Sequence, residues 1–179
     1  MENSSITLPI FIVGFMGTGK TTLGKKLSRL AGIPFIDLDQ QIVEASGMPI
    51  SDYFKLNGED SFRQLEEKTL KTIPTNQGAI VSTCGGTPCF SDNINWMNEH
   101  GLTVYLDLAP KVIFDRLVAS ERSSRPLLAQ MGDNELLDYI EEKLTARLPF
   151  YEKAHIQINP LHESPKSMLD ILIKEIQSM

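Results

Sequence analysis

The stretch Gly14-Phe15-Met16-Gly17-Thr18-Gly19-Lys20-Thr21 satisfies the pattern G-x-x-x-x-G-K-[ST] and lies between an apolar run and a helical periodicity. Glycines let successive backbone N–H groups turn inward around phosphates, and the N-terminus of the following helix adds partial positive charge at the same spot. Lys20 is spaced to reach β and γ phosphates, and the Thr21 hydroxyl is placed to bind Mg2+. Such a loop implies a nucleoside triphosphate and leaves the reaction open. No Asn-Lys-x-Asp tetrapeptide is present to read guanine, and the glycine order G-x-x-G-x-G differs from that of dinucleotide-binding turns.

Working outward, short apolar runs recur at Pro9–Val13, Pro34–Asp37, Ala79–Thr83, Leu102–Leu108 and Ala154–Ile158, each followed by helical signals. The alternation reads as α/β with βαβ units. The first helix is expected from Lys20 to about Ala31, with Leu23, Leu27 and Leu30 on one face and Gly32 past its end. Ser51 is a candidate cap for a short helix ending at Gly58, and a longer helix is expected from Glu59 to Ile73, stopped by Pro74. Ser91 is a candidate cap for a segment ending at His100. Pro110 suits the first turn of the next helix, and Ser164-Pro165 reads as a cap and first-turn proline for a terminal helix. The stretch from about Glu121 to Asn134 has clustered arginines, a proline, a glycine and little periodicity, as expected of a lid loop.

The chain has 179 residues and is 41% hydrophobic, enough for one domain with a sizeable core spanning 1–179. Its formal charge of −6 offers no sequence-wide basic field for a polyanion, which argues against nucleic-acid binding. The longest apolar run, Leu8 to Met16, is broken by Pro9 and Gly14 and falls short of the roughly 20 residues a membrane helix needs. It runs into the lysine loop rather than a cleavage site, so no signal peptide or membrane partner is expected, and a cytoplasmic location follows. Cys84 and Cys89 are expected to be reduced thiols there, without the companions a metal site needs.

Asp37 and Asp39 stand at the end of the second run, where open parallel sheets hold ligands. Extended, they point to opposite sides, so one can serve the metal and the other a substrate hydroxyl. A pair of solvated loop carboxylates capping the next helix is the plainer alternative. Arg63 and Glu66, three apart, read as a surface pair worth about a few tenths of a kcal/mol. Gly85 and Gly86 follow the third run, where a backbone can approach a ligand that a side chain would exclude.

In order, GFMGTGKTT, D-L-D, G-E-x-x-F-R-x-x-E, a glycine turn, R-P-L-L and R-x-P-x-Y-E resemble shikimate kinases over nearly the whole chain. The resemblance implies a three-layer α/β/α P-loop kinase fold with a five-stranded parallel sheet in the order 2-3-1-4-5. It further implies a lid at about 121–134, a substrate-binding subdomain at about 38–66 and a monomer. The implied reaction is phosphorylation of the 3-hydroxyl of shikimate by ATP with Mg2+, in the pathway to chorismate and aromatic amino acids. Gly17, Thr18, Gly19, Lys20, Thr21 and Thr22 then match the ATP phosphate cradle, with Lys20, Asp39 and Arg125 as the catalytic set. Thr21 and Asp37 match the metal partners, and Asp39 the residue that holds the reacting hydroxyls. Arg63 and Arg147 match the pair on the substrate carboxylate, Gly85 a backbone donor to the substrate, and Arg125 a lid arginine on ATP. Cys84 departs from the pattern by replacing the first of three glycines. The segment from Ile158 to Glu163 has no cationic anchor for adenine, and His162 within it reads as a solvated loop residue. Gluconate, also a hydroxy acid with a carboxylate, is the alternative acceptor. A nucleotide-binding regulatory module is the alternative outside catalysis.

Overall fold

The computed structural model describes residues 6–120, 128 and 130–179. Five parallel strands form one sheet in the order β2-β3-β1-β4-β5: β1 (Pro9–Val13), β2 (Phe35–Asp37), β3 (Ala79–Ser82), β4 (Leu102–Leu106) and β5 (Ile156–Ile158). This is the sheet order implied by the resemblance. Every residue of β1, β3 and β4 is buried, as both-faced parallel strands must be. Along β1, Ile10 and Ile12 face one core and Phe11 and Val13 the other, following the period-two alternation of a strand. Register pairs Phe11 with Val81 and Thr103, so the strand that delivers the phosphate loop is flanked on both sides.

The helices are α1 (Lys20–Ala31), α2 (Leu38–Ser46), α3 (Ile50–Leu70), α4 (Asn93–His100), α5 (Pro110–Ala119), α6 (Asp133–Tyr151) and α7 (Pro165–Ile176). Leu27 of α1 and Met168 and Leu172 of α7 pack on the Ile10–Ile12 face, while α2 to α6 supply the opposite core. Among the described residues, no helix is long and apolar enough to cross a membrane.

Helix α1 has the expected bounds, closed by Gly32, and Ser164 caps α7 through the Ser167 N–H. Several expectations are corrected. Asp37 Oδ1 accepts from the Asp39 N–H at 3.1 Å, which starts α2 at Leu38 and puts Asp39 in a first helical turn rather than an extended strand. Asp37 thus does the capping envisaged in the plainer alternative. The carbonyl of Pro49, not Ser51, starts α3 by accepting from Asp52 and Tyr53. Helix α3 is broken at Gly58, whose backbone (φ 77°) is not helical, so the two expected helices meet there end to end, but the second ends at Leu70, with Ile73 buried in the turn beyond. Ser91 and Asp92 both have left-handed backbones, and no side chain among the described residues caps α4. Helix α6, which carries Arg147, buries only Leu136, Ile140, Leu144 and Tyr151 along its 19 residues, too weak an apolar stripe to be legible in the sequence, and it also holds Pro149. The proline sits in the last turn, where it removes only one i→i−4 bond. Arg125 and most of the expected lid lie outside the described residues.

Candidate active site

The phosphate loop leaves β1 and enters α1 with Gly17 and Gly19 at φ of 81° and 94°, which a side chain would strain. Among the described residues no side chain caps α1, whose N-terminus begins directly at Gly19 of the loop. Thr18 Oγ1 donates to the Phe15 carbonyl at 2.8 Å, and Arg116 Nη1 of α5 donates to the Thr18 carbonyl at 2.9 Å, holding the loop from below. Lys20 is nearly buried, its Nζ donating to the carbonyls of Gly14 at 2.8 Å and Phe15 at 3.0 Å. An ammonium folded over its own loop, beside the N-terminus of a helix, is a donor set suited to polyphosphate.

A cleft of about 630 Å3 opens beside the loop, and Lys20, Thr21, Thr22, Asp39 and Gly85 all line it. Leu128, from the R-P-L-L stretch, is buried on its wall. Asp37 lies behind Thr21: the Thr21 hydroxyl donates to Asp37 Oδ2 at 3.0 Å and lies 3.3 Å from Ser82 Oγ. Ser82 ends β3 and lines the same cleft, a contribution hidden in the sequence by its place in an apolar run. Two hydroxyls and a carboxylate around one point suit a hard cation that also takes phosphate oxygens and water. Among the described residues no cluster of three His, Cys, Asp or Glu forms a self-sufficient metal site.

Arg63 and Arg147 come from α3 and α6, yet both border the turn that ends the cleft. A Cβ on Gly86 would meet Arg63 Nη1 at 2.8 Å, and one on Gly85 would meet Arg147 Nη1 at 3.4 Å. The two glycines therefore let two guanidiniums lie against adjacent peptide units. Tyr151, fully buried, donates to the Gly85 carbonyl at 2.6 Å and fixes the turn. Burial holds its phenol above the ordinary range, so it stays a donor.

The expected surface pair is corrected. Glu66 is fully buried and accepts from Arg63 Nη1 at 2.8 Å and from Thr87 Oγ1 at 2.6 Å, while Glu59 takes Arg63 Nη2 at 3.1 Å. Arg63 Nε–H is buried with no acceptor among the described residues. A guanidinium held rigidly with a donor unmatched fits a planar anion.

Cys84 lines the cleft, and Cys89 lies on the short 3-10 turn Thr87–Cys89; both are free thiols. Burial, then the charges of Asp39 and Glu66, pushes the Cys84 thiol well up, and burial pushes Cys89 up to about 11 against the pull of Arg147 and Arg63.

On the other side of the phosphate loop a smaller cleft of about 210 Å3 is walled by Thr18, Gly19, Thr22, Arg116, Pro160 and Glu163. Two cations border this cleft from outside the segment after β5, Lys26 of α1 and Arg116 of α5, the second by a long-range contact that no local pattern announces.

Comparison with known proteins agrees with this geometry. The family model described as shikimate kinase matches residues 16–177. The chain belongs to the shikimate kinase family. It is therefore a kinase, of a class that uses ATP. A shikimate kinase of Phocaeicola vulgatus is 49% identical over 81% of this chain and 82% of its own length. The crystal structure of a shikimate kinase from Bacteroides thetaiotaomicron superposes with a TM-score of 0.84 at 38% identity, covering 96% of this chain and 97% of the other. The shikimate kinase from Acinetobacter baumannii, solved in complex with shikimate, gives 0.82 at 29% identity over 96% and 94%. A gluconokinase from Sinorhizobium meliloti gives 0.64 at 17% identity over 97% and 95%, a likeness of fold alone.

Proposed function

We propose that this kinase transfers the γ-phosphoryl group of ATP to the 3-hydroxyl of shikimate, giving shikimate 3-phosphate. The observation that carries the reading is the convergence of Arg63 and Arg147 on Gly85 and Gly86, at the end of a cleft that also holds Lys20 and Asp39. Two guanidiniums at the glycine turn require an anionic acceptor, and the Asp39 carboxylate, which interacts with the neighbouring Cys84, can orient its hydroxyls.

In this reading Gly17 to Thr22 cradle the triphosphate. The clefts flank the loop, so the smaller one, with Arg116 and Pro160, receives the nucleoside and the larger one the acceptor. Lys20 turns from its own carbonyls to the phosphate oxygens and, with Arg125, neutralises charge on the transferred group. Thr21 Oγ1, and Asp37 through water, would hold Mg2+, whose charge would offset that of the phosphoryl oxygens. Asp39 accepts hydrogen bonds from the acceptor hydroxyls and aligns one with phosphorus, which asks for position more than basicity. Gly85 offers its backbone N–H to the substrate, and Arg63 and Arg147 grip the carboxylate. The subdomain at about 38–66 forms the acceptor wall, and closure of the lid at about 121–134 excludes water that would otherwise hydrolyse ATP. The enzyme acts as a cytoplasmic monomer.

ADP release by the purified protein with ATP and Mg2+, compared with shikimate, with gluconate and with no acceptor, tests the reading. Release that depends on shikimate and disappears in Asp39→Asn is expected. Equal release with gluconate, or none with shikimate, would overturn it.

A further inference from the structure

The guanidinium of Arg63 has a neighbour that the reaction itself does not require. Its Cζ lies 3.9 Å from the centroid of the Phe90 ring, much nearer than the 5.2 Å to Phe62 or the 6.0 Å to Phe54. Phe90 is 36% exposed, so it contributes little to the core, and its burial alone does not account for an aromatic at this position. The backbone around it is firmly tied. The Cys89 N–H donates to Gly86 at 2.9 Å, the Asn93 N–H donates to the Phe90 carbonyl at 3.0 Å, and Asn93 Nδ2 donates to the Thr87 carbonyl at 3.0 Å. Thr87 Oγ1 then binds Glu66, the same carboxylate that holds Arg63. One short segment, Thr87 to Phe90, thus reaches Arg63 twice, through a buried carboxylate and through a ring.

We propose that Phe90 is a positioning residue for Arg63, a ring platform that sets the plane of the guanidinium so that its edge is presented to the acceptor's carboxylate. The proposal rests on the reading of Arg63 as a carboxylate ligand and adds what fixes its plane. Glu59 and Glu66 hold the guanidinium by its edge, at Nη2 and Nη1, and the Phe90 ring against its face adds a restraint on tilt out of that plane. The quadrupole of the ring attracts the cation without consuming any of its N–H donors.

The test is shikimate affinity, by calorimetric titration and by KM, in Phe90→Leu, Phe90→Tyr, Arg63→Ala and the double variant Phe90→Leu/Arg63→Ala. Leucine keeps apolar bulk and loses the quadrupole, and the site is exposed enough for the variant to fold. Phe90→Leu should weaken shikimate binding about three- to tenfold with the KM for ATP unchanged, and Phe90→Tyr should restore it. On the Arg63→Ala background Phe90→Leu should cost nothing further, because its effect passes through the arginine. Wild-type shikimate affinity in Phe90→Leu, or an equal loss with and without Arg63, would overturn the proposal. Wild-type affinity in Arg63→Ala would instead overturn the carboxylate reading on which it stands.

Discussion

Replacing Gly86 by alanine tests whether the glycine turn aligns the acceptor site through Arg63. The residue has φ −88° and ψ −18°, an ordinary right-handed backbone, so alanine introduces no torsional strain. The added Cβ would lie 2.8 Å from Nη1, 3.1 Å from Nη2 and 3.2 Å from Cζ of Arg63, so the guanidinium must retreat by about 0.6 Å to regain ordinary contact near 3.4 Å. It has little room, with Glu66 2.8 Å from Nη1 and the Phe90 ring 3.9 Å from Cζ. The movement stretches a charge-assisted bond and tilts the donors away from a bidentate partner, losses of about 1.5–3 kcal/mol together. The KM for shikimate should rise about ten- to a hundredfold, while the KM for ATP stays within about twofold, because the phosphate loop is untouched. Steady-state ADP release with each substrate varied in turn separates the two. An unchanged KM for shikimate would refute the claim that this turn sets the position of Arg63.

Lys20→Ala should lower kcat about a thousandfold or more with the fold intact by circular dichroism, since no other described side chain donates into the loop from that position. Thr21→Ala and Asp37→Asn should each raise the Mg2+ concentration needed for half-maximal rate, read from metal titrations at saturating ATP and shikimate; an unchanged requirement would remove both from the metal site. Cys89 should resist alkylation by iodoacetamide at pH 8, where a thiol near 11 is about one part in a thousand thiolate, as followed by mass spectrometry. Its folded value lies above the ordinary 9.0, so its contribution to stability is full below that pH and is lost as pH rises toward about 11, visible as a falling melting temperature.

The parts of the molecule legible in the sequence are those whose signals are local. The phosphate loop and the bounds of α1 are legible because glycines, lysine and periodicity act within one strand-turn-helix, although Leu30, expected on the apolar face, is exposed. The sheet order came from the resemblance, since β1 itself says only that it is buried. D-L-D at the end of a strand reads as extended chain, because it gives no sign that Asp37 caps a helix starting between the two aspartates. Glu66 looked like a solvated partner of Arg63 because i,i+3 spacing is the same on a wet face and a dry one; burial came from Thr87, 21 residues away. Arg147 and Arg116 enter the site from helices whose relation to the loop is set only by tertiary packing. The function of Gly86 is equally long-range: nothing nearby in sequence needs a glycine there, and the arginine that does lies on α3.

The central claim concerns one bond, the phosphoester formed at the 3-hydroxyl of shikimate. Incubating the protein with ATP, Mg2+ and shikimate and reading the product by phosphorus–proton correlation NMR observes that bond directly. A single phosphomonoester coupled to the proton on carbon 3 is the predicted result. No phosphomonoester, or one on a different hydroxyl, would contradict the account.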